Sequence, residues 1–176
     1  TSGMGIGILY FCIIVAFLAL CGCYRVQEAH VDWKSISTLF AMFFLVAVGE
    51  EVVFRGILCR MIDQRYNTLA ALIFSGLTFG FMHIFNPGAG VFSSLCIAIE
   101  AGILLGAAYK YSESLWMPIG IHWTWNFFQG PIFGLNVSGS GVGYSLIQPE
   151  VSGHHLLTGG AFGPEASIPA AVLGLA

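Results

Sequence analysis

The chain has 176 residues, is 57% hydrophobic and only 9% charged, and carries a net charge of −3. A soluble domain has about 25% charged residues, so this balance excludes that class and points to a membrane protein. Six Lys and Arg against nine Asp and Glu leave no basic patch, which sets nucleic acid aside as a partner.

A spanning helix needs about 20 mostly apolar residues. Stretches of that kind lie near 5–24, 37–59, 68–85, 91–109 and 116–134, which predicts an all-α fold, a polytopic transmembrane helix bundle of five spans. "YRVQEAHVDWKSIS" reads as an aqueous loop after the first span, and "RMIDQRYN", "FNPGAG" and "KYSES" as the later connections. Asn67 and Ser114 stand where helix N-caps are expected. Arg60, Arg65 and Lys110 fall on one side and Arg25 and Lys34 on the other, a slight excess that assigns the first group to the cytoplasm. Cys12, Cys21, Cys23, Cys59 and Cys96 lie in or beside apolar segments without a CxxC pair and read as small buried hydrophobes.

Residues 135–164 are rich in Gly and Ser and read as one long loop. Pro164 and Glu165 suit the first turn of a further helix, but the dozen or so residues after them cannot cross a bilayer. With a first residue that is not Met, this reads as a single transmembrane domain over 1–176, a fragment of a longer chain that stops at the start of a sixth span.

Positions 46–58, "VAVGEEVVFRGIL", place Glu50, Glu51 and Arg55 inside the second apolar stretch. An ionised side chain in hydrocarbon costs about 2.5–3.5 kcal/mol on insertion scales, so three in six positions need mutual pairing or a water-filled cavity. Glu51 and Arg55 are four apart, share a helix face and can form an ion pair. Glu50 is rotated roughly 140° from Arg55, which leaves it as the free carboxylate and the candidate base. A buried structural network without chemistry fits the same residues.

Two further pairs add to the set. "FGFMH" puts Phe79 and His83 four apart, and "HWTWN" does the same for His122 and Asn126. Carboxylate, imidazole and amide together can activate water against a carbonyl. The carboxylate takes the proton from the attacking water, imidazole holds that water or relays protons, and positioned donors stabilise the oxyanion. HExxH is absent, as is a GxSG serine motif, and both aspartates, Asp32 and Asp63, fall in predicted loops. Glu50, His83 and His122 also have the chemistry of a His₂Glu zinc set, so a metal site is chemically possible there, although the water-activation reading assigns no metal. His154 and His155 read as solvated. Drawn as straight antiparallel spans, the helices leave His83 on the order of 10 Å from the depth of Glu50.

The three motifs, EExxxR, FxxxH and HxxxN, follow in the order and spacing of the CAAX protease and bacteriocin-processing family (CPBP, or Abi), which the chain resembles over roughly 45–167. "SLWMPIG" and "GGAFGPEAS" look like the same family, the latter like its bacterial members. The resemblance implies an intramembrane glutamate endopeptidase of the type II CAAX prenyl endopeptidase kind in a bacterial plasma membrane. It implies that Glu50 and His83 activate the hydrolytic water, that His122 and Asn126 form the oxyanion hole, and that Glu51 and Arg55 support the site. It also implies a peptide or lipidated protein substrate, cut near its C-terminus, and no cofactor. Oligomeric state and substrate identity are open. Glu100 reads as a structural partner for a helix end or for Arg55, and Gly102, Gly106 and Ala107 as a close-packing surface.

Two other classes fit the same features. A non-proteolytic membrane scaffold or bacteriocin-immunity factor could bind partners through the same cavity. A transporter could use the buried carboxylate as a proton site, although no inverted repeat supports it.

Overall fold

A computed structural model describes residues 2–175. Helix α1, Ser2–Leu20, is apolar all round, as a helix surrounded by lipid and protein must be. Its buried face carries Gly3, Gly7, Tyr10, Phe11, Ile14, Val15 and Leu18. The glycines let it lie directly on the fifth helix: a Cβ at Gly3 would strike the Met117 carbonyl, and Thr124 Oγ1 donates to Met4 O at 3.0 Å. The helix ends through Gly22, whose φ of 72° suits a residue without a side chain.

Helix α2, Trp33–Arg65, is 33 residues long. Asp32 caps it, accepting from Lys34 N at 3.0 Å and Ser35 Oγ at 2.6 Å. The Ser35 hydroxyl, helped by the backbone donors of Ser35 and Lys34, holds the Asp32 carboxyl below the usual carboxylate range. Helix α3, Thr68–Phe85, starts at Asn67, whose side chain accepts from Ala70 N at 2.9 Å, and finishes in a 3₁₀ turn from His83. Helix α4 is Val91–Ser112. Helix α5 covers 116–132 and is buried along most of Trp116–Phe127. Ser114 sits one residue further out than a cap, with Oγ accepting from Trp116 N at 3.3 Å.

Four of these helices, α1 to α4, are long and apolar enough to cross a membrane. The chain is an integral membrane protein with an all-α bundle fold. Of the α4 window 61% is buried inside the bundle against 17% for α2, so α4 is central and α2 faces outward. Glycines again set the spacing. A Cβ on Gly102 of α4 would sit 2.6 Å from Gly76 Cα of α3, and one on Gly106 would sit 2.8 Å from Leu72. Ala107, predicted to share this surface, is exposed on the outer face.

Several boundaries differ from the sequence reading. The first span stops at Leu20, and the loop after it contains strand β1, Tyr24–Ala29. The long segment predicted as loop contains strand β2, Ile147–Val151, which pairs antiparallel with β1 from Tyr24↔Val151 to Ala29↔Ile147. It also contains a short helix α6, His155–Thr158. Exposed His154 and His155 stack on each other with ring centroids 4.4 Å apart. Pro164–Ala166 is a 3₁₀ turn rather than the start of the next helix. Helix α7, Ile168–Leu173, begins three residues later because Ser167 is its cap, accepting from Ala170 N at 3.3 Å. The cysteines are free; Cys23, Cys59 and Cys96 are buried, and Cys21 is exposed, contrary to expectation.

The largest correction is at the end of α2. "RMIDQR" is helix, not loop, because its polar residues project beyond the apolar span while the backbone ladder continues. Glu50 therefore lies 15 residues before Arg65, and His83 lies 15 residues after Thr68. Both are about 22 Å from the α2–α3 connection at 1.5 Å per residue. The depth mismatch disappears.

Candidate active site

Three of the helices widen into π-helical stretches: Val52–Cys59 in α2, Ala98–Ile103 in α4 and Phe128–Ile132 in α5. Such stretches shift the hydrogen-bond ladder and recur at functional sites. All three border one cluster. The first begins immediately after Glu51 and contains Arg55, the second contains the carbonyls that receive Arg55, and the third follows Asn126.

Arg55 is 1% exposed and Glu51 0%. Arg55 Nη1 donates to Glu51 Oε1 at 2.8 Å, and Nη2 donates to Ala101 O at 2.8 Å and Gly102 O at 3.2 Å. The guanidinium lies over the Phe79 ring, 4.6 Å from its centroid. The i,i+4 pair read from sequence is present, and α4 carbonyls take the Nη2 donors, while Arg55 Nε and Glu51 Oε2 are buried without a partner among the described residues. Glu100 is not a partner of Arg55: it is fully buried one residue before Ala101 and receives the Tyr10 hydroxyl at 3.4 Å.

Glu51 has a second role that the spacing could not reveal. His122 Nδ1 lies 2.8 Å from Glu51 Oε1. Because the same oxygen accepts from Arg55, Glu51 is an ionised acceptor and His122 Nδ1 carries the proton. His122 Nε2 then points towards Glu50 Oε2, 3.8 Å away. This Glu50 oxygen is buried and has no hydrogen-bond partner among the described residues. Glu50 itself is 35% exposed through the cavity mouth.

His83 sits at the first residue of the 3₁₀ turn, where its Nδ1 lies 2.8 Å from Phe79 O. A carbonyl only accepts, so this bond fixes the proton on Nδ1 and leaves Nε2 free. The Phe79 ring lies under the Arg55 guanidinium, meets His83 at a tilt with centroids 4.9 Å apart, and meets His122 edge-on at 6.0 Å. FxxxH and EExxxR are thus joined through one aromatic side chain.

Glu50, His83, His122 and Asn126 all line one cavity of about 300 Å³, at the small end of ligand-site volumes. His122 and Asn126, one helical turn apart on α5, present the same face. The Asn126 amide makes no hydrogen bond among the described residues. Leu39, Met42, Phe43 and Val46 of α2 form the apolar wall. Met42 and Val46 are themselves about 40% exposed, so this wall is open rather than packed into the core. Among the described residues no group of three or more His, Cys, Asp or Glu side chains is placed to hold a metal ion, so Glu50, His83 and His122 are not arranged as a ligand set.

The opposite wall was not legible as part of the site. It is the turn Val137–Ser138–Gly139–Ser140, closed by Val137 N→Ser140 O and Ser140 N→Val137 O, both 2.9 Å. Ser138 has φ 47° and Gly139 φ 84°, the left-handed pair of a tight hairpin turn in which Asn or Gly usually stands first. A non-glycine residue there costs about 1–2 kcal/mol. Asn86, from the α3–α4 connection, donates through Nδ2 to Ser138 O at 2.9 Å and also lines the cavity. Only the Gly and Ser content of this segment hinted at a special backbone.

A family profile described as type II CAAX prenyl endopeptidase Rce1-like matches residues 32–128. No curated protein and no solved structure matches the chain. The match begins at the cap of α2 and ends two residues after Asn126, so it covers all three motifs and none of the turn at 137–140.

Proposed function

From the chain's membership of the type II CAAX prenyl endopeptidase Rce1-like family, a family of membrane proteases, we propose that Glu50 is the base of an intramembrane endopeptidase. The observation that carries this is the unpaired Glu50 oxygen in a cavity shared with His83, His122 and Asn126. Its neighbour Glu51 lies outside that cavity's lining and is held through Oε1, which takes both Arg55 and His122.

The chemistry follows from the free atoms. A water between Glu50 and His83 donates its protons to the Glu50 carboxylate and to His83 Nε2. As the water oxygen attacks the scissile carbonyl carbon, Glu50 takes the proton. The carbonyl π electrons move to oxygen, and the oxyanion is met by the Asn126 amide and by His122 Nε2–H. His122 donates through Nε2 only as imidazolium, a form that Glu50 and Glu51 flank with negative charge. Collapse of the tetrahedral intermediate breaks the C–N bond, and the proton held by Glu50 passes to the leaving amine. Arg55 and Glu51 hold His122 in place and do not react.

The substrate is a peptide or protein within the membrane, and we read the apolar α2 wall as the place for a lipid chain or apolar side chains beside the scissile bond. The test is cleavage of quenched peptides, prenylated and unprenylated, by the protein in detergent. Wild type, Glu50→Ala and chelator-treated samples run in parallel. Cleavage that is lost with Glu50→Ala and survives chelation is the expected result. Cleavage untouched by Glu50→Ala overturns the assignment and favours the scaffold or immunity reading. Loss on chelation moves the chemistry to a metal.

A further inference from the structure

Behind the turn at 137–140 lies a buried carboxylate that the mechanism does not use. Glu165 is 3% exposed. Its Oε2 accepts from Ser138 N at 2.9 Å and from Gln129 Nε2, and its Oε1 accepts from Ser138 Oγ at 2.9 Å. Gln129 is itself held, accepting from Trp125 Nε1 at 2.9 Å and donating to Asn136 O at 2.6 Å. Two donors on one residue therefore converge on Glu165, and that residue is the non-glycine at φ 47°. A second cavity of about 20 Å³, room for one water, is bounded by Glu165 and Ser138 on one side and by His83, His122 and Asn126 on the other. Glu165 thus reaches the back of the same site.

The rest of the turn is built to be rigid. Gly139 N donates to Phe162 O at 2.7 Å, and a Cβ on Gly139 would strike the Pro87 carbonyl. Asn136 Nδ2 donates to Ala161 O at 2.9 Å. Each bond ties the turn to the segment around Glu165; on the strained residue itself, Asn86 holds the Ser138 carbonyl, and Glu165 takes both the Ser138 N–H and its hydroxyl.

We propose that Glu165 is a positioning residue of the peptidase site, holding Ser138 in its left-handed conformation so that the 137–140 turn forms the wall opposite α2. Glu165 touches no substrate and acts through Ser138. The role rests on the peptidase reading for its effect on the reaction, although the coupling between the two residues does not.

That coupling has a specific consequence. Glycine adopts φ near +50° without a clamp, so Ser138→Gly makes the clamp unnecessary. The experiment is a cycle of wild type, Glu165→Gln, Ser138→Gly and the double variant, assayed on a quenched prenylated CAAX peptide in detergent with Glu50→Ala as the inactive control. Glu165→Gln is expected to lower kcat/KM by about tenfold or more, and Ser138→Gly by about threefold. The double variant is expected to return to within about threefold of Ser138→Gly alone. A double variant as slow as Glu165→Gln, or a Glu165→Gln enzyme as fast as wild type, overturns the proposal. If Glu165→Gln does not fold, Glu165→Asp takes its place in the cycle. The same four proteins compared by melting temperature give a readout free of the reaction: non-additive losses support the clamp and additive losses contradict it. Full activity of Glu50→Ala would instead overturn the peptidase reading and leave this thermal cycle standing.

Discussion

Glu50 and Glu51 are adjacent in the chain and occupy opposite environments. Glu51 is fully buried and, although its Oε2 has no partner among the described residues, is bonded through Oε1 to both Arg55 and His122, in a nest closed by α4 carbonyls and the Phe79 ring. Glu50 opens into the cavity with one oxygen unpaired. The nest and the cavity divide the labour between structure and reaction. A buried ion pair is weak evidence for stability in itself, but removing one partner strands a charge and is strongly destabilising. An unpaired carboxylate in a cavity contributes little to holding the fold and is free to exchange a proton.

This contrast can be broken in several ways. The largest expected effect is on Glu50→Gln, which keeps the shape of the side chain and removes the base. Cleavage should fall by about 10²–10⁴-fold, with the melting temperature in detergent unchanged. Arg55→Ala should do the reverse to the fold, costing about 3–5 kcal/mol by stranding Glu51. That loss is read as a lowered unfolding midpoint, with activity lost because His122 is no longer held. Asn126→Ala sharpens the cavity side: kcat should drop about 10²–10³-fold while KM changes little, which steady-state kinetics separate. The smallest effect belongs to neither region. Asn67→Ala removes the α3 cap at an exposed helix end and should cost about 1 kcal/mol of stability, leaving the rate per folded molecule unaltered.

The site and the bundle were legible to different depths. Apolar length revealed α1 to α4, and the i,i+4 spacings correctly paired Glu51 with Arg55 and put His122 and Asn126 on one face. Helix ends were harder, because hydrophobicity marks where a helix leaves the bilayer and not where its hydrogen bonds stop. "RMIDQR" was lost to that difference, and with it the common depth of Glu50 and His83. The β1–β2 pairing joins residues more than a hundred positions apart, and strands as polar as "YRVQEA" and "IQPEV" carry little periodic signal. The bond from His122 to Glu51 and the convergence of Ser138 on Glu165 are tertiary contacts. No local pattern encodes them, although a glycine-rich stretch with serines in it was a sign that the backbone there does something unusual.

The central claim is that Glu50 reacts and Glu51 supports, and the most direct measurement compares Glu50→Gln with Glu51→Gln in one preparation, reading peptide cleavage and melting temperature on each. The account predicts an inactive Glu50→Gln protein that melts like wild type, and a Glu51→Gln protein that melts markedly lower. A Glu50→Gln protein that still cleaves, or one whose activity and melting temperature fall together while Glu51→Gln stays stable, would contradict it.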